Sequence, residues 1–120
     1  DSKRETATFE PPSQTAKVYG LDQYDYGQIL RIQNLQLPAA VEIHFALQER
    51  GGDVITRIGT TRDGVTEVMI PDSMLENNGS ANDYDIYAWI YLKDNSSRKT
   101  EYKISMRVNC RPRPEVPGTP

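Results

Sequence analysis

Residues 84–93, YDIYAWIYLK, decide the fold because their side chains alternate in character with a period of two. That period is typical of a β-strand whose two faces meet different surroundings. The face that we expect to lie in the core holds Tyr84, Ile86, Ala88, Ile90 and Leu92. The opposite face, an aromatic row bounded by charges, holds Asp85, Tyr87, Trp89, Tyr91 and Lys93.

The rest of the chain shows the same strand pattern. Residues 41–48 (VEIHFALQ) and 53–59 (DVITRIG) predict a hairpin, since Gly51-Gly52 between them can adopt the positive φ of a tight turn. Residues 100–108 (TEYKISMRV) alternate too, and we expect them to pair with residues 84–93 through a polar turn. The remaining strand-like runs are AKVYG (16–20), QILRIQ (28–33) and VTEVMI (65–70).

One segment, IPDSMLENNG at residues 70–79, breaks the pattern and predicts a single helical turn that starts after Pro71. The sequence therefore predicts an all-β fold: an antiparallel β-sandwich of about seven or eight strands with one short helical turn. The pattern does not separate a jelly-roll from an immunoglobulin-like topology.

Both ends of the chain differ from this middle part. Residues 1–12 are polar with one large hydrophobe, Phe9, and predict an N-terminal arm. Residues 13–110 form the predicted sandwich domain. Residues 111–120 contain four prolines, which lack the N–H donor of a sheet ladder, so we expect an extended linker to a further module.

Composition excludes several classes of function. The net charge of −3 comes without a basic block, which argues against nucleic acid as a partner. No run of about 18 apolar residues occurs, so we expect no membrane insertion. Cys110 is the single cysteine, and the fold must therefore be stabilised without an intrachain disulfide.

The sequence offers no pattern for catalysis. His44 is the only histidine, and no local motif pairs it with a nucleophile and an orienting carboxylate. One histidine and one cysteine fall short of a zinc ligand set, and no phosphate-binding glycine motif is present. We predict no catalytic, metal or cofactor site, and hence no enzyme.

The aromatic residues are the main candidates for contact with a partner. Tyr87, Trp89 and Tyr91 come first, because Tyr and Trp are enriched at interfaces. Their face is either buried under the arm or a helix, or exposed as a platform for sugar rings or a protein. Tyr24 and Tyr26 come second, in QYDYGQ (23–28), where a tight turn between two strands is expected.

Four phrases in this order resemble a known family: QYDYGQIL (23–30), LPAAVEIHF (37–45), IPDSML (70–75) and YDIYAWIYL (84–92). They are similar to the N-terminal β-sandwich domain of prophage tail proteins from Firmicutes, in the phage baseplate upper protein family. The resemblance covers roughly residues 14–112.

The resemblance implies a non-enzymatic attachment module of a phage tail or baseplate, linking a fibre or receptor-binding module to the particle. Its partners would be other tail or baseplate proteins and copies of itself, as in a trimer. Its place would be the virion, assembled in the bacterial cytoplasm. The alternative is an extracellular carbohydrate-binding module that holds a cell-surface glycan on its exposed aromatic face.

Overall fold

The computed structural model describes residues 4–77, 80–93 and 99–112, which form eight strands and one short helix. The strands, in chain order, are β1 Arg4–Thr8, β2 Thr15–Asp22, β3 Ile29–Gln33, β4 Ala40–Ala46, β5 Val54–Arg62, β6 Val65–Met69, β7 Tyr84–Lys93 and β8 Lys99–Asn109. The helix, α1, spans Asp72–Glu76 between β6 and β7. The predicted all-β class, the strand number and the single helical turn are confirmed.

All eight strands hydrogen-bond in one sheet, in the order β1-β3-β6-β5-β4-β7-β8-β2. Most pairs are antiparallel, but β1 pairs with β3 and β2 pairs with β8 in parallel. The two edge strands, β1 and β2, contact each other, so the sheet curves almost into a barrel. The arrangement thus differs from the expected sandwich, in which two separate antiparallel sheets would face each other.

Both predicted hairpins are present. β4 pairs with β5, and the loop between them contains Gly51 and Gly52 at φ 70° and 77°. Such values suit glycine because it has no Cβ. β7 pairs with β8 over the full length of β7, from Tyr84 opposite Val108 to Lys93 opposite Lys99. The turn that joins them lies outside the described residues.

The core fills the concave side of the sheet. Inward residues of β7 and β8 alternate with outward ones as the sequence predicts, and Ile86, Ile90 and Ile104 are fully buried. The largest fully buried side chains are Phe9, Leu21, Leu30, Ile32, Ile43, Phe45, Ile70, Leu75, Ile86, Ile90, Ile104 and Met106. Burial of this apolar surface is the main stabilising contribution, at roughly 25 cal/mol per Å².

The predicted N-terminal arm is wrong for the described part of residues 1–12. Arg4–Thr8 form β1, which pairs with β3. Ala7 and Phe9 are buried, and the ring of Phe9 packs edge-on against Tyr102 at a centroid distance of 5.5 Å. Ala7 in β1 and Phe9 just after it lie two positions apart, so both side chains point into the core. Of the predicted linker, residues 113–120 lie outside the described part.

Helix α1 closes one end of the core. Pro71 precedes its first turn, and Met74 and Leu75 are buried beneath it. Asn77, with φ 39°, ends the helix in a left-handed conformation, as asparagine tolerates. Among the described residues, no helix is long and apolar enough to cross a membrane.

Candidate aromatic binding face

The outward side of β7 carries three aromatic residues in a row. Tyr87 and Trp89 are half-buried, and Tyr91 keeps 47% of its surface exposed. The rings of Tyr87 and Trp89 stack with centroids 5.8 Å apart and planes 29° apart. Residues 4–8 form β1 and α1 closes one end of the core, so neither of these described elements buries the rings completely. In the described part of the chain the row is therefore partly open to solvent, between the buried and the exposed arrangement that the sequence left as alternatives.

Strand β4 places a further ring beside the row. His44 lies opposite Trp89 in the register, and its imidazole meets the Tyr91 ring edge-on at 5.4 Å. Its Nε2 atom lies 3.4 Å from Oε1 of Glu42 on the same strand. Cross-strand contacts of this kind hold aromatic side chains in defined positions on a sheet. The sequence analysis identified His44 as the only histidine but did not place it in this cluster.

Strand β5 extends the face with aliphatic residues that the sequence analysis missed. Val54 and Ile58 are 53% and 60% exposed, and they lie opposite Ala46 and Glu42 in the register. Ala46 is buried between its neighbours although its side chain points outward. We call the surface formed by Tyr87, Trp89, Tyr91, His44, Val54 and Ile58 the aromatic face.

Charged pairs border the aromatic face on the side of β8. Lys103 forms an ion pair with Glu49, and its ammonium lies 5.2 Å from the centre of the Tyr87 ring. The hydrogen bond and charge of Lys103 hold the pKa of the Glu49 carboxyl below its usual range. Arg107 pairs with Asp85 at 3.1 Å. These pairs hold the charged side chains close to the sheet.

The tyrosines of this face stay protonated over the physiological range. Partial burial raises the pKa of Tyr87, and the nearby Asp85 carboxylate raises it further. Partial burial and the charge of Glu101 raise the pKa of Tyr91 in the same direction. The Tyr87 hydroxyl donates to Oδ2 of Asp85 at 3.4 Å. Both phenolic oxygens can accept a hydrogen bond from a bound partner.

Two shallow depressions lie on this side of the sheet. One, of about 320 Å³, contains Trp89, Tyr91 and His44 beside the carboxylates Glu49 and Glu101. The other, of about 280 Å³, lies between β2 and β7 over the middle of β8. They share Glu49 among their lining residues.

The second pair of candidate tyrosines lies elsewhere. Tyr24, at φ 69°, belongs to the turn after β2, and its N–H donates to the carbonyl of Leu75 in α1. The hydroxyl of Tyr26 donates to Oε1 of Glu76 at 2.9 Å. These two residues attach the turn to the helix. The predicted turn between the two strands is present, with the Asp25 N–H donating to the carbonyl of Asp22. The strands that it joins, β2 and β3, pair with other strands and not with each other.

The remaining groups that could carry chemistry are the metal-ligating side chains and Cys110. No cluster of three or more His, Cys, Asp and Glu side chains within residues 4–77, 80–93 and 99–112 could hold a metal ion. Cys110 follows β8 directly, and its N–H donates to Oδ1 of Asp83 at 2.8 Å. Burial and the Asp83 carboxylate raise the pKa of its thiol, which disfavours the reactive thiolate.

No protein-family model matches the chain, and no curated protein matches it.

Proposed function

We propose that this chain is a non-enzymatic attachment module of a phage tail or baseplate, linking a fibre or receptor-binding module to the particle. In this proposal the aromatic face is the surface that binds a neighbouring tail protein or a second copy of the chain, as in a trimer. The assignment to a phage particle depends on the resemblance of the four sequence phrases. The assignment of the surface depends on the structure.

The observation that supports docking is the exposure of apolar side chains on β5 and β7, the two strands that flank β4 in the sheet. Tyr91 on β7 and Val54 and Ile58 on β5 keep about half or more of their surface exposed on one side of the sheet. Contiguous apolar surface with a polar rim is typical of protein interaction sites. Tyr and Trp also dominate the binding energy of measured interfaces.

The shape of the face also suits docking. The three aromatic residues lie on the long strand β7, which is paired on both sides by β4 and β8. The backbone of a strand that is paired on both sides loses little further freedom on binding, so its ordering costs less than that of a loop. The ion pairs Lys103–Glu49 and Arg107–Asp85 supply the polar rim.

The test combines gene context with reconstitution. Neighbouring genes should encode tail or baseplate proteins, and co-expression with their products should yield a complex measurable by size-exclusion chromatography with light scattering. The variant Ile58→Glu, on the aromatic face, should abolish the complex. Met69→Glu is the matched control, because Met69 is a similarly exposed apolar residue on another strand, β6.

Two results would contradict the proposal. If the neighbouring genes encode no tail protein and their products form no complex, the attachment role is wrong. If Met69→Glu disrupts a complex as strongly as Ile58→Glu, the aromatic face is not its binding surface.

A second candidate function is carbohydrate binding, which the stacked rings of Tyr87 and Trp89 favour. Aromatic rings held on a rigid strand offer flat apolar surface with polar tips, which suits a sugar ring. A glycan array tests this directly, with Trp89→Ala as the control variant. Binding that disappears in Trp89→Ala would support this function, and no binding to any glycan would exclude it.

A further inference from the structure

The groove between β2 and β7 is a second candidate site, which shares only Tyr87 with the aromatic face. Its floor is Ser105, in the middle of β8, which lies opposite Lys17 of β2 on one side and Tyr87 of β7 on the other. Because the side chain of Ser105 is small, the longer side chains on either side of it extend further from the sheet and form the walls of the groove. The groove has a volume of about 280 Å³, close to the lower end of small-ligand pockets at about 300 Å³.

A shift in the pairing register of β2 determines the position of Tyr19, which forms the outer wall of the groove. The register between β2 and β8 shifts from Val18 opposite Met106 to Leu21 opposite Val108. Tyr19 and Gly20 therefore lie opposite a single residue, Arg107, as in a β-bulge. Gly20 has φ 100°, a conformation that favours glycine. Bulges redirect side chains, and here Tyr19 extends outward with 66% of its surface exposed.

The groove carries more positive than negative charge, although the chain as a whole is acidic at −3. Lys17, Lys103 and Arg107 line it together with Glu49 and Asp85. Lys103 pairs with Glu49, and Arg107 pairs with Asp85. In the described part of the chain no ion pair or hydrogen bond engages the ammonium of Lys17. Among the described residues Lys17 is therefore an exposed cation without a partner, and it lines the groove together with Tyr19 and Tyr87.

We propose that this groove binds an acidic monosaccharide unit, a uronic acid. The carboxylate pairs with Lys17, and the sugar ring lies between Tyr19 and Tyr87. The ring hydroxyls reach Ser105, whose hydroxyl can donate or accept, and the carboxylate of Asp85, which accepts. This site shares only Tyr87 with the aromatic face and does not depend on the proposed role in a phage particle.

We propose an acidic ligand because of the exposed ammonium of Lys17, and not because of the volume of the groove. A neutral sugar would leave Lys17 without a partner, and a small carboxylate without a ring would leave the walls of Tyr19 and Tyr87 unfilled. Only a ligand with both features uses both parts of the groove. The depression beside Trp89 and Tyr91 contains Glu49 and Glu101 and would disfavour the same anion.

The experiment is a titration of the ¹⁵N-labelled domain with sodium D-glucuronate, followed by amide NMR spectra at constant ionic strength. D-glucose and sodium acetate are titrated in the same way as controls. D-glucose has the sugar ring without the carboxylate, and acetate has the carboxylate without the ring. We expect saturable shifts at Lys17, Tyr19, Ser105 and Tyr87 with glucuronate alone. Lys17→Gln should weaken binding about fivefold, in line with the largest effects of exposed ion pairs.

The matched control variant is Arg57→Gln, which removes one positive charge from an exposed residue on β5, outside the groove. It should leave glucuronate affinity unchanged, and a dispersed amide spectrum shows that each variant is folded. The proposal is overturned if glucuronate gives no saturable shift in the groove, or if glucose or acetate binds equally well. It is also overturned if Arg57→Gln weakens binding as much as Lys17→Gln. These results leave the docking test with Ile58→Glu unaffected, because Ile58 does not line the groove.

Discussion

The two sides of β7 show how one strand serves two purposes. On the inner side, Ile86, Ala88 and Ile90 are completely buried. On the outer side, the half-buried Tyr87 and Trp89 precede Tyr91, which is exposed. The inner side excludes water with aliphatic groups, and the outer side keeps large rings with polar tips at the surface. In the proposed function, the exposed part of this outer row is the surface that a partner contacts.

The largest expected effect lies on the inner side. Ile90→Ala should lower the free energy of unfolding by about 2–5 kcal/mol, because it removes buried methylenes and leaves a cavity. Tyr91→Ala, at the next position, should change it by less than about 1 kcal/mol, since the Tyr91 ring is half-exposed. Urea unfolding of both variants checks the contrast, and equal effects would mean that the outer side is also part of the core.

A second prediction concerns the space available between strands. A Cβ on Gly59 of β5 would lie 2.9 Å from Cδ1 of Ile43 and 3.0 Å from Cγ2 of Thr66. Gly59→Ala should therefore destabilise the domain by about 1–3 kcal/mol through overpacking. Thr60→Ala, on the exposed side of the same strand, is the control and should cost much less. Thermal unfolding distinguishes the two, and a Gly59→Ala variant as stable as the parent would contradict the close packing.

A third prediction concerns the attachment of α1 to the inner side of β7. The hydroxyl of Tyr84 donates to the carbonyl of Met74 at 2.6 Å and lies 3.1 Å from that of Leu75. Tyr84→Phe should lower the free energy of unfolding by about 1 kcal/mol, the usual contribution of such a bond. Tyr91→Phe removes a hydroxyl at the surface and should have almost no effect. If the two variants unfold at the same urea concentration, Tyr84 does not secure the helix.

The smallest effect is expected at the charged rim of the outer side. Because Lys103 lowers the folded-state pKa of Glu49 below its ordinary value of 4.5, this pair stabilises the domain above that pH. The contribution is lost as the pH falls through the folded-state pKa. An NMR titration of the Glu49 carboxyl carbon should give a pKa below 4.5, and Lys103→Gln should raise that pKa towards the ordinary value. Added salt should reduce the shift, since the pair is exposed. An unshifted pKa would contradict the ion pair.

The parts of the fold predicted from sequence are those in which contacts are local. The β4–β5 and β7–β8 hairpins follow from alternating patterns on either side of polar or glycine-rich segments. Helix α1 follows from Pro71 and the pair Met74 and Leu75. The parallel pairs β1–β3 and β2–β8 join strands that are distant in the chain, and no local pattern reports such pairing. For the same reason the sequence indicated a sandwich, although all strands form one sheet.

The candidate site was predictable in part. The period of two placed Tyr87, Trp89 and Tyr91 on one side of β7, as observed, but their exposure depends on what packs over them. Val54 and Ile58 were missed because an apolar residue within a strand normally indicates the core. Alternation along β5 was the available signal, since Val54, Thr56 and Ile58 share the side opposite Gly59. Tyr19 was missed as a groove wall because a bulge depends on the partner strand.

The central claim is that the outer side of β7 is open, and Trp89 reports on it directly because it is the only tryptophan in the chain. Quenching of its fluorescence by acrylamide and iodide measures the access of solvent to the ring. We predict quenching by both, at a level between that of free tryptophan and that of a fully buried residue. Emission insensitive to both quenchers in the isolated domain would show that the aromatic face is covered, and would contradict the account.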